Sequence, residues 1–316
     1  MSNNHLVVNS AIAQGLDVIG DRWSLLILRD AFLGRRRFEE FRRYTGASKA
    51  TLTRRLAALI EQGLMIKRSI SPLSKRHEYL LSAKGAALFP ASLLAWQWEQ
   101  KWLADASTSL PDTLIHRGCQ QAISPQAVCG GCEQTFSLDE IRLSPIAVQG
   151  IQHIEEIKSL SGQRRVRSPL VSETADTRLA GISDLIGDRW TLLILISAFF
   201  GMQRYDAFAK QLNIASNILS SRLNLLVDNG VLQRRSYQDS PPRHEYPLTA
   251  KGLSLFPIVI AMRQWAVEWE ADATAVAGLL HSSCGALLSI KVKCGSCAEI
   301  IDRQDIDYVS RADNRK

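Results

Sequence analysis

The chain has 316 residues, 46% hydrophobic and 22% charged, which suits a folded protein long enough for two domains with separate cores. Its 38 Lys and Arg outnumber 31 Asp and Glu, and the net charge of +7 favours an anionic partner. No run of about 18 apolar residues occurs and no secretory signal opens the chain, so a cytoplasmic protein with reduced cysteines and no membrane contact is expected.

In chain order, Val8–Leu16 and Ser24–Phe32 carry apolar residues at helical spacing, and Gly34 stops the second of these helices. Phe38–Tyr44 reads as a short helix before a turn at Thr45-Gly46-Ala47. Ser48 is the expected N-cap of a helix through Gln62, with Leu52, Leu56 and Leu59 on its buried face. Leu64–Ile70 and His77–Leu81 read as two strands around the loop Ser71–Arg76. Ser82 then opens a last long helix, in which Pro90 is expected to introduce a kink. Helix, short helix, turn, helix and hairpin is the order of a winged helix-turn-helix. Trp98 and Trp102 share one face of the last helix and read as core or subunit interface.

Two hooks of metal-ligating residues follow, His116-x2-Cys119 and Cys129-x2-Cys132. Residues 141–176, including the basic run Gln163–Ser168, then read as a linker.

The whole pattern returns after the linker. Asp17–Leu28 reappears as Asp184–Leu195, a shift of 167, and the alignment holds without a gap to Trp102/Trp269 with 36 identities in 86 positions. A repeat this long is a duplicated domain rather than a solenoid unit. The second copy ends in its own tryptophan pair, Trp265 and Trp269, and its own hooks, His281-x2-Cys284 and Cys294-x2-Cys297. The expected architecture is mainly α with small β-hairpin wings: winged helix-turn-helix domains at 8–105 and 177–272, Cys/His modules at 112–140 and 278–308, and a linker at 141–176.

Four ordered motifs point to a family. Asp21-Arg22-Trp23-Ser24-Leu25-Leu26, Gly34-x2-Arg37-Phe38-x2-Phe41, Leu52-x2-Arg55-Leu56-x2-Leu59-x3-Gly63 and Arg76-x-Glu78-Tyr79-x-Leu81 strongly resemble the HxlR-type winged-helix transcriptional regulators. The resemblance implies DNA-binding proteins that usually act as dimers of a single-copy chain, a plan from which this tandem chain departs. Some such regulators sense electrophiles through a cysteine shortly before the Asp-Arg-Trp motif. The corresponding positions here are Ser10 and Thr177, so that mechanism is not carried over.

DNA contact needs cations for phosphates and a slim element for the major groove, a role filled by the second helix of a helix-turn-helix. In the first copy the candidates are Lys49, Thr51, Thr53 and Arg54 for base edges, with Arg55 beside them for phosphate. Lys75 and Arg76 on the wing and Arg35, Arg36 and Arg37 before the short helix extend the basic surface. The second copy offers Ser216, Asn217, Ser220, Ser221, Arg222 and Arg243, with fewer cations. Residues 17–102 carry 16 Lys and Arg against 8 Asp and Glu, a balance of +8; residues 184–269 carry 9 against 7, a balance of +2. The first copy is therefore expected to supply most of the attraction for DNA.

Soft thiolates and an imidazole in short chelating hooks suit tetrahedral Zn²⁺. One ion per module is expected, held by His116, Cys119, Cys129 and Cys132 and by His281, Cys284, Cys294 and Cys297. Buried structural cysteines and a thiol switch are the competing readings.

No phosphate loop, nucleophile triad or paired catalytic carboxylates occur, so an enzyme is not expected. The expected function is a sequence-specific regulator of transcription on double-stranded DNA, with repression favoured over activation and a small-molecule effector left open. An intrachain pseudo-dimer and a homodimer are both open. The alternative is a redox-responsive or protein-interaction adaptor whose winged helices no longer bind DNA.

Overall fold

Asp21 opens the helix Arg22–Phe32, because its carboxylate accepts the N–H groups of Trp23 (3.0 Å) and Ser24 (3.1 Å), donors that a first helical turn leaves without partners. The computed structural model describes residues 19–71, 76–103, 113–144, 179–270 and 278–309. The helix expected over Val8–Leu16, the positions Ser10, Lys75 and Thr177, and the basic run Gln163–Ser168 lie outside these residues. The backbone forms two compact units. Of the described residues, the first takes 21–71, 76–103, 113–135, 179–184 and 290–309, and the second takes 19–20, 136–144, 185–270 and 278–289.

In the first unit, α1 (Arg22–Phe32) is followed by α2 (Phe38–Thr45), which ends at Gly46 in the left-handed region (φ 70°). Ser48 caps α3 (Lys49–Glu61) by accepting the Thr51 N–H at 3.2 Å, as expected from the sequence. Leu26, Ile27, Phe41, Leu52 and Leu59 are fully buried where the three helices meet. Each such side chain contributes about 1.5–3 kcal/mol of burial. The wing is an antiparallel pair, β1 (Met65–Ser69) and β2 (His77–Leu81), with Lys67 opposite Tyr79. The Tyr79 N–H also donates to the Arg36 carbonyl at 2.8 Å, which ties the segment before α2 to the wing.

The long kinked helix expected after Ser82 is instead two helices, α4 (Ala83–Ala86) and α5 (Phe89–Trp102). Pro90 falls in the first turn of α5, where its missing N–H has no intrahelical partner to lose. Trp98 faces the core at 4% exposure. Beyond α5 the chain forms β3 (Thr113–His116), β4 (Gln121–Ala122) and β5 (Pro125–Cys129).

Residues 141–143, expected to begin the linker, form β6 (Ile141–Leu143) in the second unit. Next comes α6 (Ala180–Ile186), whose first part joins the first unit. There Arg22 grips Asp184 through both carboxylate oxygens (2.7 and 2.9 Å), and the Gly181 N–H donates to Glu99 at 3.3 Å.

The second unit repeats the plan with α7 (Arg189–Phe199), α8 (Tyr205–Leu212), α9 (Ser216–Asp228), β7 (Arg235–Asp239), β8 (Pro242–Glu245), α10 (Ala250–Leu253) and α11 (Phe256–Trp269). Leu192, Phe208, Leu219, Leu223 and Trp265 form its core. Its β9 (Leu279–His281) pairs antiparallel with β6, Ile141 opposite His281. Phe136, just upstream of β6, packs edge-on against Phe256 at 6.3 Å.

The last strands, β10 (Ile290–Cys294) and β11 (Ile306–Val309), belong to the first unit although they end the second repeat. β11 extends the β3–β4 sheet, with Ile306 opposite His116. β10 pairs antiparallel with β5, and Ala127 lies opposite Val292, its own repeat equivalent. Sequence-equivalent strands thus pair about a local two-fold at Ala127 and Val292, the self-complementary register of an isologous contact.

Candidate nucleic-acid interface and Cys/His centre

With Leu52, Leu56 and Leu59 turned inward, helical periodicity leaves Lys49, Thr53 and Arg54 on the exposed side of α3. Thr51 is half-buried and its hydroxyl lies 3.0 Å from Ser48 Oγ, so it serves the cap as well as the surface. Arg36, Arg37 and Arg76 are exposed nearby in sequence or on the wing. The Glu40 carboxylate accepts the backbone N–H groups of Arg36 (3.0 Å) and Arg37 (2.8 Å), fixing this turn at the start of α2. Partial burial works against the Glu40 charge. Those N–H groups and the Arg37 and Arg35 charges nevertheless hold its carboxyl below the usual carboxylate range.

Three expected contact residues have other partners. Arg35 turns inward, pairing with the fully buried Asp30 at 2.5 Å and stacking on the Tyr44 ring at 3.5 Å. Arg55 points to Asp21 at 3.2 Å. Its counterpart Arg222 is buried and holds Asp188 through two bonds of 2.8 and 2.9 Å. The Asp of the Asp-Arg-Trp motif therefore both caps one helix and anchors an arginine of α3 or α9. The available signal was that Asp and Arg are identical in both copies while neighbouring Lys49 and Arg54 become Ser216 and Ser221.

In the second unit Ser216, Asn217, Ser220, Ser221 and Arg243 are exposed. Two of these positions are engaged locally, since the Tyr205 hydroxyl lies 3.1 Å from both the Ser216 carbonyl and Ser220 Oγ. The first repeat has Phe38 at that position and cannot make these bonds. α9 also starts at Ala215 without a side-chain cap, whereas α3 has Ser48.

The cysteines group differently from the expected modules. His116 and Cys119 meet Cys294 and Cys297, with all four ligand atoms within 4.8 Å of one another, a group able to hold a metal ion. Strand direction explains the exchange. Cys294 lies opposite Pro125, at the end of β5 next to the β3–β4 hairpin. Cys129 is four residues along β5, about 13 Å away at strand spacing. It is buried opposite Ile290, and Cys132 is half-buried beyond it. In the second unit His281 Nδ1 lies 3.4 Å from Cys284 Sγ.

Within the His116 group the separations are 3.4 Å from His116 Nδ1 to Cys119, 3.3 Å from Nδ1 to Cys297 and 3.9 Å from Cys119 to Cys294. A tetrahedron built on Zn–S bonds of about 2.3 Å has S···S edges of roughly 3.8 Å, so these are the edges such an ion requires. Both hooks close through a residue in the left-handed region, Gln120 (φ 58°) and Ala298 (φ 62°), which turns each N–H back onto His116 O (2.7 Å) and Cys294 O (2.8 Å). Burial opposes ionisation of Cys294. The N–H groups of Cys297 and Ser296 and the Cys297 and Cys119 thiols nonetheless hold its pKa down. The Glu299 N–H favours a Cys297 thiolate, but burial and the adjacent Cys294 and Cys119 thiols push it up to about 11. A cation between these sulfurs would favour the thiolate form of each.

A family model described as HxlR-like helix-turn-helix matches residues 18–107 and again 185–274. The "Uncharacterized HTH-type transcriptional regulator Rv3095" of Mycobacterium tuberculosis is 38% identical over 125 residues, covering 39% of this chain and 78% of that protein. The "Uncharacterized HTH-type transcriptional regulator YvaP" of Bacillus subtilis is 38% identical over 87 residues, 27% of this chain and 81% of that one. The crystal structure of PA1607 aligns at 36% identity and a TM-score of 0.38, covering 42% of this chain and 93% of its own. No helix among the described residues is long and apolar enough to cross a membrane.

Proposed function

Because the chain belongs to the HxlR-like helix-turn-helix family and carries its domain twice, we propose that it is a sequence-specific DNA-binding transcriptional regulator that reads its operator mainly through the first repeat. The observation that carries this reading is the exposed row Lys49, Thr53 and Arg54 on α3, next to a buried leucine face and an arginine already paired inside the fold. In this reading Lys49 and Arg54 contact guanine edges or phosphates and Thr53 a base or a thymine methyl. Arg36, Arg37 and the wing residues Lys75 and Arg76 add phosphate contacts that set register.

The second repeat contributes through Asn217, Ser221 and Arg243, with less charge and two serine positions engaged by Tyr205. Occupation of an operator by such a module blocks access to it, which favours repression. The Cys/His group holds a structural Zn²⁺, since four protein ligands leave no open position for substrate.

Selection of binding duplexes from a random pool, followed by affinity measurement, tests the DNA reading. Lys49→Ala/Arg54→Ala should lose about tenfold or more of the preference for the selected duplex over a scrambled one. An unchanged preference would move recognition away from α3. Loss of a protein partner with DNA affinity intact would favour the adaptor reading.

A further inference from the structure

The metal ligands of the first unit come from two segments that are far apart in sequence. Cys119 and Cys294 are separated by 175 residues and His116 and Cys297 by 181. We infer that a tetrahedral thiophilic ion, Zn²⁺ by its donor set, is the clasp that fastens the end of the second repeat (290–309) onto the first repeat's module (113–129). This rests on the zinc reading above and extends it, because the ion then joins the two repeats rather than completing each one separately.

Four observations support the clasp. Each pair of ligands sits at a strand end that the exchanged segment creates: His116 on β3 beside β11, and Cys294 on β10 beside β5. His116 is 2% exposed and Cys294 is fully buried, so the donors are held in place rather than displayed. Gly118 keeps the first hook slim, since a Cβ there would lie 3.0 Å from the ring of His116, whereas Glu299 Oε2, at 2.5 Å, is the end of an exposed side chain that can move. Without the ion the attachment is thin. Among the described residues it comprises two short strand pairings, backbone bonds such as Arg117 N–H to Asp305 O and Gly295 N–H to Ser124 O (both 2.8 Å), the buried side chains of Ile290, Val292 and Ile301, packing of β10 on α5, and ion pairs such as the exposed Arg117–Asp307 (2.7 Å) and the half-buried Lys293–Glu133 (3.0 Å). Exposed pairs contribute little, and pieces this small rarely hold a fold without a metal or disulfide.

The test uses the full chain. Metal content is measured on purified protein and on Cys294→Ser/Cys297→Ser, and amide hydrogen exchange is followed before and after chelation. The double variant should lose one zinc equivalent per chain. Exchange at 291–294 and 306–309 should accelerate by about tenfold or more on chelation, while amides of α1 and α3 keep their protection. Cys297→His, which preserves a tetrahedral donor set, should retain the ion and the protection, so that a general folding defect in the double variant is recognised as such.

Unchanged zinc content in the double variant, or unchanged exchange of β10 and β11 after chelation, would overturn the clasp. So would a metal-free protein with a reducible Cys119–Cys294 disulfide. The DNA preference of Lys49→Ala/Arg54→Ala is read independently, so failure of the clasp and failure of the DNA reading are distinguishable.

Discussion

Arg35, Arg55 and Arg222 show how differently one residue type is used in the segments proposed to face DNA. All three belong to basic or recognition-helix segments, yet each is committed to a carboxylate of its own fold. A charge already paired in a half-dry site is not available to a phosphate, and removing its partner leaves the other charge stranded. Arg222→Ala should therefore destabilise the second unit by about 3 kcal/mol, read as a shift in the urea midpoint. Arg35→Ala should likewise lower stability while leaving the salt dependence of DNA binding unchanged. A reduced salt slope for Arg35→Ala would show that it reaches DNA after all. The Asp21–Arg55 and Asp188–Arg222 pairings were not legible locally, because their partners lie 34 residues apart and only their identity in both copies hints at them. Lys49, Thr53 and Arg54 were legible, because the leucine period alone assigns them to the outer face.

At the scale of elements, side-chain caps explain where some of the helices begin, and Ser48 and Ser82 among them could be read directly. Ser48 caps α3 as the sequence implied, and His77–Leu81 is the second wing strand. Ser48→Ala should cost about 1 kcal/mol in thermal or urea unfolding. The α2 start is held by Glu40, whose second-repeat counterpart is Ala207. Since its pKa is lowered in the fold, Glu40 contributes stability above the ordinary carboxylate pKa and loses it as pH falls through the depressed value. Glu40→Gln should thus lower stability at neutral pH, and the gap between variant and parent should close in acid. A gap independent of pH would remove the charge from this account. Pro90 was read as a kink because the helical period continues on both sides of it; the break at Ala87-Leu88 is a local choice that the period does not reveal.

At the scale of the molecule, duplication conceals the pairing of the hooks. Each repeat carries the same His-x2-Cys and Cys-x2-Cys hooks, so spacing alone cannot say whether hooks of one copy or of both meet at an ion. The antiparallel β5–β10 register brings Cys294 opposite Pro125, at the end of β5 that follows the β3–β4 hairpin, and so groups it with His116 and Cys119. The same duplication is the basis of the proposed division of labour, since the scaffold residues persist while the cations of α3 become serines in α9. The most direct test of that division is the salt dependence of full-chain binding to a selected duplex. Each lost phosphate contact removes about 0.9 from the slope of log affinity against log salt. Lys49→Ala/Arg54→Ala should flatten that slope by up to about 1.8, whereas Asn217→Ala/Ser221→Ala should leave it unchanged. An equal loss of slope from both variants, or a larger one from the second repeat, would contradict the account.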